Sequence, residues 1–442
     1  MNRINIIFIK LFFFVIANLS AAPLEIDVTK GKIEPLPVAI TKFNYNSSKE
    51  KTISNKIHDV ISNDLIISGL FKKISNKAFL QSEEEVFTQP LFSDWSIIDA
   101  NLIISGTITI NNNKLLVKLK LWDVYREKLL LSKKIDGLGK DSWRTLAHII
   151  SNLVYQRVTG EKGYFDTKIA YISESVSSNK TIKKLAIMDY DGNSHQFLTD
   201  GTDLVLTPRF SPNGKNLAYL SFSKRKPTVY LLNLVNNKKK ILGNFSGMSF
   251  APRFSPDGKN IIFSLTDKGS SNIFILDILT KKLSQITKNK HINTSPSFSP
   301  NNNSIVFSSD RAGKQNLYIK EVSKGLKSKA KRITFGSGNY ATPVWSPRGD
   351  YIAFTKSYRK SFYIGLINKD GTGERIISKG YLVEGPTWSP NGRTLAFYKL
   401  YKNKSNKLFS SLYTIDITGN LEKKLNTPLQ ASDPDWGPSI KY

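Results

Sequence analysis

One octapeptide, Pro252-Arg253-Phe254-Ser255-Pro256-Asp257-Gly258-Lys259, decides the fold, because variants of it recur through the C-terminal part of the chain. Each complete copy contains a proline, an aromatic residue, a Ser-Pro pair, a turn and an apolar run. The leading prolines of five complete copies and one truncated copy are Pro208, Pro252, Pro296, Pro343, Pro386 and Pro434. Successive prolines are 44, 44, 47, 43 and 48 residues apart, and a period of about 40–50 residues indicates a repeat architecture.

The contents of one period predict which architecture it is. In the second copy the motif is followed by a short apolar strand at residues 261–263, a third strand at 272–278 and a basic fourth strand at 282–287. Pro and Gly at turn positions favour tight hairpins, and β-branched and aromatic residues favour strands. Four strands per period are typical of a propeller blade, whereas helical repeats would place apolar residues at i, i+3 and i+4.

The two ends of the repeat region predict how the ring closes. Residues 168–173, 184–189 and 196–199 have the pattern of three strands of a blade that lacks its first strand. The truncated motif at 433–438 is a first strand with nothing after it. The C-terminal strand should therefore complete the blade that begins at Lys168. This gives an all-β, six-bladed β-propeller over residues 161–442 without an open sheet edge.

The N-terminal region does not follow the repeat. Residues 1–22 are interpreted as a signal peptide, because basic residues and the apolar run 11–17 precede the small residues Ser20-Ala21-Ala22. The alternative is an uncleaved membrane anchor, but seven uninterrupted apolar residues are far fewer than the roughly 20 that span a bilayer. Residues 23–160 are predicted to form an α+β domain, with strands near 24–28, 37–43, 102–110, 115–122 and 128–135 and helices near 51–70 and 141–158.

Composition limits the classes of function. The 442-residue chain has no cysteine, which excludes disulfides, thiol catalysis and thiolate metal sites. The formal net charge is +29, and the lysines are scattered among Asn and Ser in predicted loops, as on a solvated surface. For an exported protein, an acidic partner or an anionic envelope surface matches this charge better than nucleic acid does.

The sequence predicts no enzyme, no cofactor and no metal site. The motifs G-x-S-x-G, H-E-x-x-H and G-x-x-x-x-G-K-[ST] are absent. The four histidines, His58, His148, His195 and His291, lie in different predicted elements. One alternative is a propeller hydrolase or lyase that uses Glu384 and Asp433 beside the channel. Another is a glycan-binding propeller that uses the repeated aromatic residues, although packing between blades explains those residues better.

The predicted binding surface lies at one end of the propeller channel. The first strand of each blade lines the channel, and the loops leading into it lie on the same face as the loops that join strands two and three. The lead-in loops vary while the motif repeats, as binding surfaces on repeated scaffolds do. The neighbouring loops carry Lys224, Arg225, Lys226, Arg311, Lys314, Arg359 and Lys360. This end is therefore predicted to be rimmed with cations and to suit an acidic protein surface.

The order of these parts resembles the TolB family, periplasmic components of the Tol-Pal system of Gram-negative bacteria. The resemblance runs from Leu24-Glu25-Ile26-Asp27-Val28 to Asp433-Pro434-Asp435-Trp436 and includes the P-x-[FW]-S-P-[DN]-G blades. It implies a non-enzymatic, monomeric periplasmic adaptor that is peripheral to membranes. It also implies a Pal-like peptidoglycan-associated lipoprotein at the propeller mouth and a TolA-like inner-membrane protein at the mature N-terminus. The system so formed supports outer-membrane integrity and constriction at cell division.

The resemblance also indicates which residues contact these partners. The family's N-T-E-P segment corresponds to Asn293-Thr294-Ser295-Pro296, so Thr294 carries over and Ser295 replaces the acid, while the loop at 247–249 lacks the family's histidine. The residues predicted to bind the Pal-like partner are Met248, Ser249, Asn293, Thr294, Ser295, Arg311, Thr342, Arg359 and Glu384. Those predicted to bind the TolA-like partner are Leu24, Glu25, Ile26, Asp27 and Val28. Their apolar–acidic alternation fits a strand that adds to a partner's sheet or, alternatively, an edge strand of the protein's own domain.

Overall fold

The computed structural model describes residues 34–137, 139–177, 180–223, 226–245, 247, 252–402 and 406–439. The predicted signal peptide (residues 1–22) and the predicted docking strand (residues 24–28) lie outside these residues. Within them the chain forms an α+β domain and a six-bladed β-propeller, which confirms the predicted fold class. No helix in the described part of the chain is long and apolar enough to cross a membrane.

The N-terminal domain is a five-stranded sheet with helices packed against it. The strand order is β2-β1-β3-β4-β5, and β1 runs parallel to both of its neighbours. The strands are β1 (Leu36–Ile40), β2 (Phe71–Lys73), β3 (Leu102–Asn111), β4 (Lys114–Asp123) and β5 (Lys128–Asp136). The helices are α1 (Ser48–Ile67), α2 (Glu83–Thr88), α3 (Phe92–Ile97) and α4 (Trp143–Thr159).

Capping residues set the start of helix α1 and the end of helix α4. The Ser47 hydroxyl caps α1 by accepting the backbone N–H of Glu50 at 3.3 Å. Helix α4 ends at Gly160, whose φ of 72° is a left-handed conformation that glycine adopts without strain. Ile57 of α1 and Ile150 of α4 are fully buried in one apolar core with the sheet. This shared core fixes both helices against the same face of the sheet.

The propeller consists of six four-stranded antiparallel sheets, each of which is one blade. The chain enters it at β6 (Lys168–Ser177), β7 (Lys180–Asp189) and β8 (Gln196–Phe197). Blade 1 contains β9 (Val205–Phe210), β10 (Asn216–Ser223), β11 (Lys226–Asn233) and β12 (Lys239–Asn244). Blade 2 contains β13 (Arg253–Phe254), β14 (Asn260–Asp267), β15 (Ser270–Asp277) and β16 (Leu283–Gln285).

The remaining blades repeat this order. Blade 3 contains β17 (Asn293–Phe298), β18 (Ser304–Ser309), β19 (Asn316–Glu321) and β20 (Lys331–Arg332). Blade 4 contains β21 (Asn339–Trp345), β22 (Tyr351–Tyr358), β23 (Ser361–Asn368) and β24 (Arg375–Gly380). Blade 5 contains β25 (Leu382–Trp388), β26 (Thr394–Lys402), β27 (Leu408–Asp416) and β28 (Lys423–Lys424). Blade 6 combines β29 (Gln430–Trp436) with β6, β7 and β8.

The last strand closes the ring. Strand β29 pairs antiparallel with β6, so the C-terminal strand completes the sixth blade, as predicted. Trp436 anchors this strand, because its indole N–H donates to the Thr167 hydroxyl at 2.8 Å and its ring packs against Tyr164. The Asp435 carboxylate accepts the backbone N–H of Phe210 at 2.7 Å, which ties blade 6 to blade 1.

The Ser-Pro pair of the motif recurs because it builds the turn between the first and second strands. In blade 2 the Ser255 hydroxyl accepts the backbone N–H of Asn260 at 2.9 Å and donates to the Asp257 carboxylate at 2.5 Å. Equivalent contacts, to an Asn side chain, are made by Ser211, Ser299 and Ser389. Gly258 follows with a φ of 72°. The motif is therefore a turn that satisfies its own polar groups.

The N-terminal domain docks on the end of the propeller where these turns lie, which we call the turn face. Arg348, in the turn of blade 4, pairs with Glu161 of the interdomain segment at 2.8 Å. The Tyr190 hydroxyl, in the loop after β7, donates to Asp64 of α1 at 2.8 Å. One apolar core continues from the N-terminal sheet into blade 6, so the two domains pack as one unit.

Candidate partner-binding surface

The end of the channel opposite the turn face, which we call the mouth, faces away from the N-terminal domain. It is formed by the loops that lead into each first strand and by the loops that join each second and third strand. Among the described residues, the mouth includes 294–295, 310–314, 341–342, 358–361, 384–385 and 432–433. Lys224, Arg225, Met248 and Ser249 lie outside the described residues, so their contribution stays a prediction.

A left-handed residue precedes the motif proline in each of the five blades for which this position is described. The φ values are 48° at Thr207, 52° at Ser295, 45° at Thr342, 67° at Gly385 and 50° at Asp433. The strand pairing shifts register at the same place, so each of these first strands carries a β-bulge. This conformation is unfavourable for threonine, and such strain is concentrated at functional sites. The one sign of this left-handed conformation in the sequence is the glycine at position 385.

Blade 3 holds Arg311 in a fixed position at the mouth. The Arg311 guanidinium donates to Asn293 Oδ1 at 2.8 Å and to Ser309 Oγ at 3.0 Å, and it lies 4.6 Å from the ring centre of Tyr318. Asn293 is fully buried and donates to the backbone carbonyl of Ser271 at 2.9 Å. Burial lowers the pKa of Arg311. Asn293 therefore positions Arg311, and a partner would meet Arg311 rather than Asn293.

Blade 4 presents two cations on a strained two-residue turn. Arg359 (φ 48°) and Lys360 (φ 61°) connect Tyr358 to Ser361, which pair directly across the hairpin. Two consecutive left-handed residues are the mark of a type I′ turn, which Asn and Gly prefer. Both side chains are exposed, and neither forms an ion pair with another described residue. The hairpin therefore displays two uncompensated positive charges.

Blades 5 and 6 place three carboxylates beside the channel at the mouth. Glu384 of β25 accepts the hydroxyl hydrogen of Tyr398 at 2.9 Å, and Glu174 of β6 pairs with Lys183 at 2.9 Å. Burial raises the pKa of Glu384, and the neighbouring Asp433 raises it further. Burial likewise raises the pKa of Asp433, against the opposing charges of nearby cations. Three carboxylates from three strands thus meet at one place.

The mouth therefore carries both signs of charge. The expected cations Arg311, Lys314, Arg359 and Lys360 lie on blades 3 and 4, and blades 5 and 6 add carboxylates beside the channel. Glu174 was not predicted as part of the site, because it precedes the repeats and comes close to Asp433 only when β29 pairs with β6. In blade 4, the Thr342 hydroxyl of β21 forms a hydrogen bond with the Thr355 hydroxyl of β22 at 2.7 Å. In blade 3, the β-bulge of the first strand begins after Thr294.

A second cluster of titratable groups lies at the joint between the domains. Asp64, His148 and Asp191 each place a potential metal-ligand atom within 4.8 Å of the others, the one such grouping in the described part of the chain. Arg144 pairs with Asp191 at 2.5 Å, and His148 Nδ1 pairs with Asp64 at 2.8 Å. These ion pairs engage Asp64, Asp191 and His148 Nδ1 and so join the domains, while the buried His148 Nε2 has no hydrogen-bond partner in the described part of the chain.

The fold and the mouth define a class of protein, a propeller that presents loops for binding at one face and carries an α+β domain on the other. Residues 155–440 match the TolB beta propeller domain family, and residues 24–130 match the TolB amino-terminal domain family. The chain therefore belongs to the TolB family.

Individual relatives agree with this assignment. The Tol-Pal system protein TolB of Paramagnetospirillum magneticum is 46% identical over 238 residues, which span 52% of this chain and about half (53%) of that protein. The protein of the same name from Wolbachia sp. subsp. Drosophila simulans is 47% identical over 432 residues, 98% of each chain. The crystal structure of TolB from Acinetobacter baumannii shares the fold, with a TM-score of 0.81 and 24% identity over 94% of this chain and 100% of that one.

Proposed function

We propose that this protein is a non-enzymatic periplasmic adaptor of the Tol-Pal system. Its propeller mouth binds a Pal-like lipoprotein, and its mature N-terminus binds a TolA-like inner-membrane protein. Through these contacts it supports outer-membrane integrity and constriction at cell division. Membership of the TolB family supports the place in the system. The observation that carries the first contact is the set of strained left-handed residues around one opening, beside two exposed cations.

The charged groups of the mouth would divide the partner surface into two parts. Arg359 and Arg311 suit an acidic patch, and Glu384 suits a hydrogen-bond donor or a cation. Arg311 is already fixed by Asn293 at 2.8 Å, so little side-chain entropy is lost when it binds. A partner whose surface complements both the positive and the negative groups can bind in only one orientation, which favours specific over non-specific binding.

The polar residues of the bulges would supply the uncharged contacts. Thr294, Ser295 and Thr342 lie beside the channel and are partly exposed. A bulge interrupts the regular strand pairing, and the backbone groups released from the ladder become available to a partner. Met248 and Ser249 occupy the corresponding lead-in loop of blade 2, and we include them in the proposed contact by analogy of position.

The proposed docking strand is residues 24–28, in which Leu24, Ile26 and Val28 alternate with Glu25 and Asp27. As an edge strand of its own domain, it would have to lie against β2 or β5, because these are the two edges of the described sheet. As a docking strand, it would pair with the sheet of a TolA-like domain, with backbone hydrogen bonds providing the affinity.

Calorimetric titration tests both contacts. We expect the mature protein to bind the periplasmic domain of a Pal-like lipoprotein and the C-terminal domain of a TolA-like protein. A variant that lacks residues 23–31 should keep the first interaction and lose the second. Equal binding of the TolA-like domain to both proteins would contradict the docking role. If the two contacts are coupled, each partner changes the affinity of the other by the same factor.

The competing function is a propeller hydrolase, which the cluster of Glu384, Asp433 and Glu174 would favour, since buried carboxylates with raised pKa values can transfer protons. A glycan-binding propeller is less well supported, because Trp388 and Trp436 are only 5% and 6% exposed. The variant Glu384→Gln separates these functions. For an adaptor it changes the affinity for the Pal-like domain, whereas for a hydrolase it abolishes turnover of a glycan or peptide substrate.

A further inference from the structure

The channel has a second opening at the turn face, where a cavity of about 420 Å³ lies among the prolines and aromatic residues of the motif. The residue after each leading proline occupies the same position in every blade, and these six residues are Arg209, Arg253, Ser297, Val344, Thr387 and Asp435. Arg209, Arg253, Ser297 and Asp435 line the cavity. Two cations and one carboxylate therefore lie close together at this opening of the channel.

The carboxylate is already engaged in closing the ring. Asp435 Oδ2 accepts the backbone N–H of Phe210 at 2.7 Å, and Oδ1 lies 3.4 Å from the Thr387 hydroxyl. Arg209 Nε is 3.9 Å from Oδ1, which is beyond hydrogen-bond distance. Burial raises the pKa of Asp435. Asp435 can therefore compensate at most one of the two guanidinium groups, and only at a distance.

Neither guanidinium group has a full set of hydrogen-bond partners. Arg209 donates through Nη1 to the backbone carbonyl of Pro208 at 2.6 Å, but its buried Nε has no hydrogen-bond partner in the described part of the chain. The Arg253 side chain forms neither a hydrogen bond nor an ion pair with any described residue. Burial and the adjacent charge of Arg209 lower the pKa of Arg253 to about 9. A cation withdrawn from water without a partner is unfavourable, so the site is built to receive a negative charge.

A third donor faces the same cavity. The Ser297 hydroxyl oxygen accepts the backbone N–H of Trp345 at 3.2 Å, which leaves its own proton to donate. Guanidinium groups are planar forks that bind oxyanions through two parallel hydrogen bonds. Two such forks and a hydroxyl match a ligand with several oxygen atoms on one centre better than they match a halide.

We propose that the turn-face cavity binds a small oxyanion of the phosphate type, with Arg253 as its principal ligand and Arg209 and Ser297 as further donors. The anion balances the positive charge that Asp435 leaves uncompensated. The same phosphate chemistry is available from the free ion and from a lipid headgroup. The free ion is the better match, because the N-terminal domain docks on the same face of the propeller and restricts the approach of a membrane.

Calorimetry with inorganic phosphate tests the site. Phosphate is titrated into the full mature chain, with sodium chloride adjusted to hold the ionic strength constant. We expect saturable binding and a rise in Tm with phosphate concentration. Arg253→Gln should lose the saturable heat and the phosphate-dependent rise in Tm. Arg375→Gln, the same charge change on the outer strand β24, should bind phosphate as the parent protein does. Flotation with vesicles that contain phosphatidic acid distinguishes a headgroup from the free ion.

Two results would overturn the proposal: no saturable heat for the parent protein, or equal phosphate binding by Arg253→Gln. If Arg253→Gln does not fold, Arg253→Lys decides the question. Lysine keeps the positive charge but cannot form the two parallel hydrogen bonds of a guanidinium group. We therefore expect the affinity for phosphate to fall by about tenfold, as for the loss of one charged hydrogen bond. An unchanged affinity in Arg253→Lys would show that the heat arises elsewhere.

Discussion

The residue before each motif proline adopts a backbone conformation that its side chain disfavours. In blade 3 this residue is Ser295, with a φ of 52°. The left-handed region costs an L-residue about 1–2 kcal/mol, and glycine avoids most of this cost. Only blade 5 has glycine there, at Gly385. The other described blades keep a polar side chain at the mouth despite the strain, which suits a role in binding.

Replacement of Ser295 by glycine should therefore stabilise the fold. We expect Ser295→Gly to raise the free energy of unfolding by up to about 1 kcal/mol, because relief of the strain exceeds the added entropy of the unfolded chain. The matched control is Ser304→Gly in β18, a position outside the left-handed region, where glycine should lower stability by about 0.5–1 kcal/mol. Urea unfolding measures the free energy of unfolding of both variants. If Ser295→Gly is less stable than the parent protein, backbone strain at Ser295 is ruled out.

His148 makes the joint between the domains sensitive to pH. Its ring faces Asp64, Asp191, Arg144 and Tyr190. Burial alone lowers the pKa of His148, but the charge and hydrogen bond of Asp64 outweigh burial and raise it above the usual 6.5. A raised pKa means that the stabilisation is complete below pH 6.5 and is lost as the pH rises through the higher value of the folded state.

The expected result is a difference in Tm between the protein and His148→Gln that is largest below pH 6.5 and shrinks as the pH rises. Thermal unfolding followed across this range measures it. His195→Gln is the control, because burial lowers the pKa of His195 and the trend should not appear. A difference in Tm for His148→Gln that does not change with pH would contradict the ion pair with Asp64.

At the scale of single residues, the sequence located the mouth but not the state of its side chains. Arg311 was predicted as a rim cation, yet it is fixed by Asn293 and stacked on Tyr318. The position of Arg311 depends on the register in which β17 pairs with β18. The periodicity of the sequence predicts the two strands but not the individual hydrogen bonds between their side chains. Asp435 and Glu174 acquire their neighbours in the same way, through the closure of the ring.

The element on which the propeller depends is β29. Its pairing with β6 removes the open edge of the ring, and Trp436 fills the space between blade 6 and the interdomain segment. This element was predictable because two incomplete repeats at opposite ends of the sequence complement each other. The short elements α2, α3 and β2 were not predicted, since six or three residues carry too little periodicity. The capping box at Ser82 and Glu85 was the one local signal for α2.

Removal of β29 should therefore disrupt the whole propeller. A chain that lacks residues 433–442 is expected to aggregate or to unfold at a much lower temperature, because it loses a strand, the buried Trp436 and the contact between blades 6 and 1. A chain that lacks only residues 440–442 keeps β29 and serves as the control. Sedimentation and thermal unfolding compare the two, and a longer truncation that melts like the full chain would rule out closure by β29.

The two ends of the propeller differ in what covers them. The N-terminal domain is bound to the turn face by Tyr190, Arg348 and a continuous apolar core, and this leaves the mouth directed away from it. In the proposed function, one partner binds at the mouth and the other binds the segment before residue 34. The joint between the two ends contains the buried, titratable pair of His148 and Asp64.

The association rate of a Pal-like periplasmic domain, measured at several salt concentrations, tests whether the mouth binds this partner. Arg359→Glu should slow association by up to about tenfold at low salt and flatten the salt dependence, because it reverses an exposed cation at the mouth. Lys423→Glu, the same change at an exposed position on the outer strand β28, should leave both unchanged. Identical rates for Arg359→Glu and the parent protein at low salt would contradict binding at the mouth.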